Sequence, residues 1–155
     1  MKIISIDIYK LKILFNQPLK VAIGTTDGAD NVVVKMTTDT GLVGWGEASP
    51  CAYISGDTQA TNLAIAPALA ALVLGKDPLA IEARMTEINR FIIGEPSMRS
   101  AFDMALYDIA AKAAGMPLYQ FLGGEQRAIR TDLTIGLQDT VSESVAEAKK
   151  ILAAG

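Results

Sequence analysis

The block Ser100 to Gly124, SAFDMALYDIAAKAAGMPLYQFLGG, constrains the fold more than any other part of the chain. It predicts an alanine-rich helix that stops at a glycine and runs into a proline-aromatic segment and a double glycine. Ser97 can cap the helix start, since its side-chain oxygen can accept from a free N–H of the first turn. Gly115 suits the left-handed conformation past the last turn, and Pro117 prevents continuation. Ala101, Ala105, Ala110, Ala113 and Ala114 carry so little bulk that another backbone can approach closely. A surface helix seldom needs that, so this one is expected between two layers. Asp103 and Asp108 stand about 140° apart around the helix and cannot form one carboxylate pair. Arg99 precedes Asp103 by one turn and Lys112 follows Asp108 by one turn, so both read as helix-surface ion pairs.

The residues before this helix predict a sheet with further helices. Residues 3–13 (IISIDIYKLKI), Asn31 to Thr38 (NVVVKMTT) and Leu42 to Ala48 (LVGWGEA) read as three strands of an antiparallel meander. Asp39-Thr40-Gly41 has the chemistry of a hairpin turn, with glycine supplying the positive φ. Gly44 and Gly46 flank Trp45 and strip side chains from one strand face, the mark of a bulge or close backbone approach. Val21 to Asn31 (VAIGTTDGADN) reads as a mobile flap. Asp57 or Thr58 can cap a helix that Pro67 divides and Gly75 ends. Asp77-Pro78 opens another, with Ile81, Met85, Ile88 and Ile92 as its buried stripe. The arrangement is α+β.

The last segment changes character. Arg130 to Leu137 (RTDLTIGL) reads as one short strand, with Leu133, Ile135 and Leu137 on one side and Asp132, Thr134 and Gly136 on the other. Thr140 and Glu143 form a capping-box pair. They open a helix whose apolar side is Val145, Ala148, Ile151 and Leu152, and Gly155 stands where a helix-stopping glycine belongs. One strand and one helix cannot bury each other, so 130–155 is expected to be a β-α unit that needs neighbours.

Composition narrows the function classes. Half of the 155 residues are hydrophobic, which argues against disorder, and the net charge is −3. That charge predicts no nucleic-acid partner and no anionic membrane surface. The longest apolar run, Leu63 to Leu74, contains Pro67 and falls short of the ~20 residues that span a bilayer. Lys2, Asp7, Lys10 and Lys12 interrupt the apolar residues that a signal peptide would need. A single cysteine, Cys51, cannot form an internal disulfide, so a cytoplasmic location is expected. The sequence has no histidine, which removes histidine-dependent nucleophiles and histidine-rich zinc sites from these residues.

The helix block closely resembles a motif of the enolase superfamily, in its muconate-lactonizing and dipeptide-epimerase branch. The pattern is A-x-D-x-A-L-x-D-I-x-x-K-x-x-G-x-P-L-Y-x-x-L-G-G. Ala101, Asp103, Ala105, Leu106, Asp108, Ile109, Lys112, Gly115, Pro117, Leu118, Tyr119, Leu122, Gly123 and Gly124 fall on it. Gly46-Glu47-Ala48-Ser49-Pro50 with Ile54-Ser55-Gly56-Asp57-Thr58 is similar to the G-E-A-x-P and I-x-G-D-[ST] segments of dipeptide epimerases. Thr131-Asp132-Leu133-Thr134-Ile135 resembles their first barrel strand.

The resemblance implies a capping domain over residues 1–125, enolase N-terminal-like. The first strand and helix of a (β/α) barrel of the TIM type would follow over 126–155. It further implies a magnesium-dependent enzyme that inverts the α-carbon of a dipeptide through an enolate, with a lysine on each face of that carbon. The lysines and metal ligands would come from later strands. The chain is thus read as the amino-terminal part of an enzyme, with no catalytic or metal residue of its own. A homo-oligomer is expected by family analogy.

Four residues are candidates for contact with a dipeptide substrate. Thr134 corresponds to a substrate-contacting threonine of the family, or else packs in the barrel's inner layer. Thr25 and Thr26 lie in the first cap loop. Ile54, beside Tyr53 in the second, either closes over substrate or packs within the cap. The first loop has no Arg or Lys after Lys20, so an acidic second residue finds no partner there, and hydrophobic or cationic dipeptides fit at least as well. Glu47 is read as holding the cap together, and Cys51 has no activating base nearby in sequence. The same cap would serve a muconate cycloisomerase or o-succinylbenzoate synthase, and a free-standing binding module is the non-catalytic alternative.

Overall fold

The computed structural model describes residues 1–154, and the helix stop expected at Gly155 lies outside the described residues. Three strands come first: β1 (Ile3–Val21), β2 (Gly24–Thr38) and β3 (Val43–Ala48). Five helices follow: α1 (Gln59–Val73), α2 (Ile81–Phe91), α3 (Pro96–Ala113), α4 (Leu118–Phe121) and α5 (Val141–Ala154). The chain divides into two compact units. The first holds Met1–Lys12 and Asp30–Gln126, and the second holds Ile13–Ala29 and Arg127–Gly155.

The sheet has the order β1-β2-β3. β1 and β2 are joined by the two residues Ala22 and Ile23, which permits only an antiparallel pair. This corrects the expected flap. Gly24, Thr25, Thr26, Asp27 and Gly28 are strand residues of β2, and β1 extends well past residue 13. The glycine- and threonine-rich composition suggested a loop, yet pairing along a long hairpin satisfies its backbone groups. β2 pairs antiparallel with β3, setting Val34 opposite Gly46, Lys35 opposite Trp45 and Met36 opposite Gly44. Gly41, at φ 82°, makes the turn between them, and its N–H donates to the Thr38 carbonyl.

The helices of the first unit cover one face of this sheet. Val32, Val34 and Met36 of β2 meet Ala66, Leu69 and Val73 of α1, Ile88 of α2 and the inner row of α3 in one core. Ile81, Met85 and Ile92, from the expected stripe, pack at its margin. The alanines of α3 do what the sequence required of them. A Cβ on Gly46 would lie 1.8 Å from the Ala101 carbonyl oxygen, and one on Gly44 2.2 Å from that of Ala105. Only glycine in β3 lets strand and helix backbones come this close.

Polar contacts fix the same seam. Asp108 Oδ2 accepts from the Trp45 N–H at 2.9 Å and from Lys112 Nζ at 2.7 Å. Lys112 Nζ also donates to the Val43 carbonyl at 2.7 Å. The expected Asp108–Lys112 ion pair is therefore also the clamp on edge strand β3. The expected Arg99–Asp103 pair does not form. Arg99 Nη1 turns to Asn89 Oδ1 at 2.8 Å. Burial, with Glu82 of α2 adding like charge, pushes the Asp103 carboxyl above its usual range. A raised carboxylate holds its proton better folded than unfolded. Asp103 therefore favours the fold at low pH, and this contribution is lost as pH rises through its shifted value.

The interior of α1 and the starts of α2 and α3 differ from expectation. α1 runs unbroken through Pro67, which faces solvent, so the carbonyl one turn back can turn to water while Ala66 and Leu69 hold the opposite face. Thr58 caps α1, with Thr61 returning the bond. Asp77 forms a local turn instead, accepting from the Leu79 N–H at 3.0 Å, and α2 begins only at Ile81. α3 begins at Pro96, so Ser97 is already helical and does not cap it. Gly115, at φ 68°, ends α3 as expected, with the Met116 N–H donating to the Ala111 carbonyl.

In the second unit, the Thr140–Glu143 capping box forms at 3.0 and 3.2 Å and opens α5. The strand expected over Arg130–Leu137 is absent as a paired strand. A strand needs a neighbour along its length, and here only the Leu137 N–H finds one, donating to the Lys20 carbonyl at 2.7 Å. Leu133, Val141, Val145 and Leu152 are exposed in this unit.

Candidate functional site

The loop from Ser49 to Thr58 is the most constructed feature outside the core. It curls around the carbonyl of Cys51, which accepts from the N–H groups of Ile54 at 2.9 Å, Ser55 at 2.8 Å and Gly56 at 3.4 Å. Gly56 takes φ 78°, a conformation that favours glycine. Ser55 Oγ accepts from the Cys51 N–H at 2.9 Å. The result is a tight turn with Tyr53 and Ile54 at its tip, 77% and 83% exposed. The turn holds these two large apolar side chains out to solvent, away from the core.

Asp57 closes the loop. It is 1% exposed, and its Oδ2 accepts from the Ser97 N–H at 3.0 Å. Its Oδ1 accepts from Ser97 Oγ at 3.1 Å and from Ser55 Oγ. The buried Asn62 amide, oriented to donate, reaches Asp57 Oδ2 at 3.2 Å and Glu95 Oε2 at 2.9 Å. Glu95 precedes α3 at φ 55°, a strained conformation for a side chain other than glycine, and Thr61 Oγ1 donates to its carboxylate at 2.9 Å. Of the two caps that the sequence offers for α1, Asp57 or Thr58, Thr58 takes that place and Asp57 does not. Asp57 serves the start of α3 instead, a long-range partnership whose only sequence trace is the Ser-x-Asp spacing beside a glycine.

Glu47 is structural, as expected. Asn31 Nδ2 donates to Glu47 Oε1 at 2.6 Å, while Gln59 Nε2 donates to the Asn31 carbonyl at 2.8 Å and that of Leu11 at 3.0 Å. Beside the loop lies an open cleft of about 440 Å³ lined by Lys10, Asp30, Pro50, Ala52, Thr58 and Gln59.

The other candidates lie in the second unit. Thr134 lines a cavity of about 240 Å³ with Pro18, Leu19, Leu137, Glu147 and Ile151. Thr25 and Thr26 stand on β2 and are not among its lining residues, and Thr26 Oγ1 donates to the Gly28 carbonyl at 2.9 Å. Lys20, the one cation between Ile13 and Ala29, is held by Asp139 at 2.6 Å. The bond raises the lysine's pKa and lowers the carboxylate's. Among the described residues, no three His, Cys, Asp or Glu side chains come together as a metal site, and no helix is long and apolar enough to cross a membrane.

The three-stranded antiparallel sheet with its helices matches the amino-terminal domain fold of the enolase superfamily. Residues 4–123 match the family described as mandelate racemase / muconate lactonizing enzyme, N-terminal domain, and the chain belongs to that family. It is 38% identical over 156 residues to the L-Ala-D/L-Glu epimerase of Bacillus subtilis, covering 100% of this chain and 42% of the relative. The dipeptide epimerase of Cytophaga hutchinsonii, crystallised with Mg and D-Ala-L-Val, superimposes with a TM-score of 0.96 at 35% identity. That match covers 100% of this chain and 42% of the other. The dipeptide epimerase of Enterococcus faecalis, crystallised with Mg and L-Leu-L-Tyr, gives 0.91 at 31% identity over 97% of this chain and 43% of its own. The chain thus spans less than half the length of the relatives it matches.

Proposed function

We propose that this chain is the amino-terminal part of a dipeptide epimerase, with residues 1–125 as its capping domain and 126–155 as the first strand and helix of a (β/α) barrel. The observation that carries this reading is the Cys51–Gly56 turn, which presents Tyr53 and Ile54 on a cap whose solved relatives hold dipeptides. The exposed Leu133, Val141, Val145 and Leu152 agree with a β-α unit that further barrel elements would cover.

The division of labour follows from the residues. Those described do not fit a magnesium site, so the metal would be held elsewhere in the enzyme. The inversion is assigned likewise to two lysines, one on each face of the α-carbon, that these residues do not supply. What this chain contributes is selection. Tyr53 and Ile54 offer apolar contact to a substrate side chain, and the Thr134 hydroxyl can donate to or accept from a dipeptide. Lys20 is the one cation between Ile13 and Ala29 and is engaged by Asp139, so that stretch offers no spare partner for an acidic second residue, and a hydrophobic or cationic one fits at least as well. Thr25 and Thr26 stay as candidates on the hairpin. By analogy the enzyme is a cytoplasmic homo-oligomer.

The test is isotope exchange. The full-length enzyme, incubated in D₂O with magnesium and a broad dipeptide library, should introduce deuterium at an α-carbon, faster for hydrophobic or cationic dipeptides than for acidic ones. Chelation should stop it. No exchange across the library refutes the epimerase reading.

A further inference from the structure

The Asp57 carboxylate is the one fully buried charge in the first unit that the proposed selection does not use. Burying it is costly unless every lone pair finds a donor, so a carboxylate persists there only for what it holds in place. Its donors come from both sides of a joint. Ser97 belongs to the first turn of α3, where free N–H groups and the helix dipole favour an anion. Ser55 belongs to the loop. Its hydroxyl has one proton, and the carboxylate is a stronger acceptor than the Cys51 carbonyl, which three N–H groups already occupy. With that proton spent on Asp57, the Ser55 oxygen is aligned to accept from the Cys51 N–H. One chain of bonds thus runs from α3 through Asp57 and Ser55 to the start of the loop.

We propose that Asp57 is a positioning residue: acting through Ser55, it fixes the Cys51–Gly56 turn to the first turn of α3 and sets Tyr53 and Ile54 in place before substrate arrives. Its relevance to turnover rests on the reading of Tyr53 and Ile54 as substrate contacts. The carboxylate itself touches no substrate. Preorganisation of this kind lowers the cost of binding without altering the chemical step.

The experiment compares wild type, Asp57→Asn and Ser55→Ala in the full-length enzyme. Amide hydrogen exchange over residues 51–56 should speed up at least about tenfold in both variants, with the middle of α3 unchanged. For a dipeptide that the wild type turns over, KM should rise about tenfold, the loss of roughly one buried hydrogen bond, with kcat within about twofold. Unchanged exchange in the loop overturns the proposal, as does a fall in kcat at constant KM. If Asp57→Asn does not fold, Ser55→Ala decides alone, since it removes a single hydroxyl. If the wild type turns over no dipeptide, the epimerase reading fails and loop exchange still decides the role of Asp57.

Discussion

Gly46→Ala should leave the first unit unfolded, or at least about 3 kcal/mol less stable, in a urea titration. The added methyl would lie 1.8 Å from the Ala101 carbonyl oxygen, 2.8 Å from its carbon and 3.0 Å from the Ala105 nitrogen. All three are backbone atoms of α3, so no side chain can swing away to make room. Relief would require β3 to leave the helix. That would break the Trp45 N–H to Asp108 bond and the Val43 carbonyl to Lys112 bond together. Gly41→Ala is the control. Its methyl meets nothing within 4 Å, and only the positive φ of 82° opposes it, a strain of about 1 kcal/mol. If the two substitutions cost the same, the close seam between strand and helix is wrong.

Phe102→Ala should cost about 3–5 kcal/mol. Phe102 is fully buried and heads the large side chains of the core. Its neighbours along α3 are Ala101 and Ala105, chosen for smallness, so they cannot swell into the space left behind. The sheet cannot settle inward either, because Gly44 and Gly46 already set it against the helix backbone. The void should therefore stay open, placing this site at the upper end of the range. Phe102→Leu should cost about 1–2 kcal/mol, since most of the volume remains. Chemical denaturation of both variants checks this, and a loss below about 1 kcal/mol for alanine would mean that the core can collapse around the gap.

Much of this was legible in the sequence, because local rules were sufficient for it. The alanine row and the Gly-Trp-Gly strand are two halves of one contact, and each announces the smallness that the other needs. Gly115 and Pro117 end α3 by their own backbone preferences, and the Thr140–Glu143 box needs only residues one turn apart. What escaped was set by distant partners. Ser97 looked like a cap by type, but Asp57, forty residues earlier, supplies the oxygen from across the fold. The hairpin through Thr25 and Thr26 was hidden because glycine and threonine also compose flaps, and a strand is defined by its neighbour. Arg130–Leu137 is the reverse case, a strand pattern with no neighbour along its length here. Its alternation is that of a strand, yet one backbone bond to Lys20 does not make a ladder.

The most direct measurement is diffraction from the full-length protein with magnesium and a dipeptide that it epimerises. Tyr53 or Ile54 should lie within about 4 Å of the dipeptide's side chain, and the Thr134 hydroxyl about 3 Å from one of its polar atoms. A bound dipeptide that leaves all three residues facing water would contradict their role as substrate contacts.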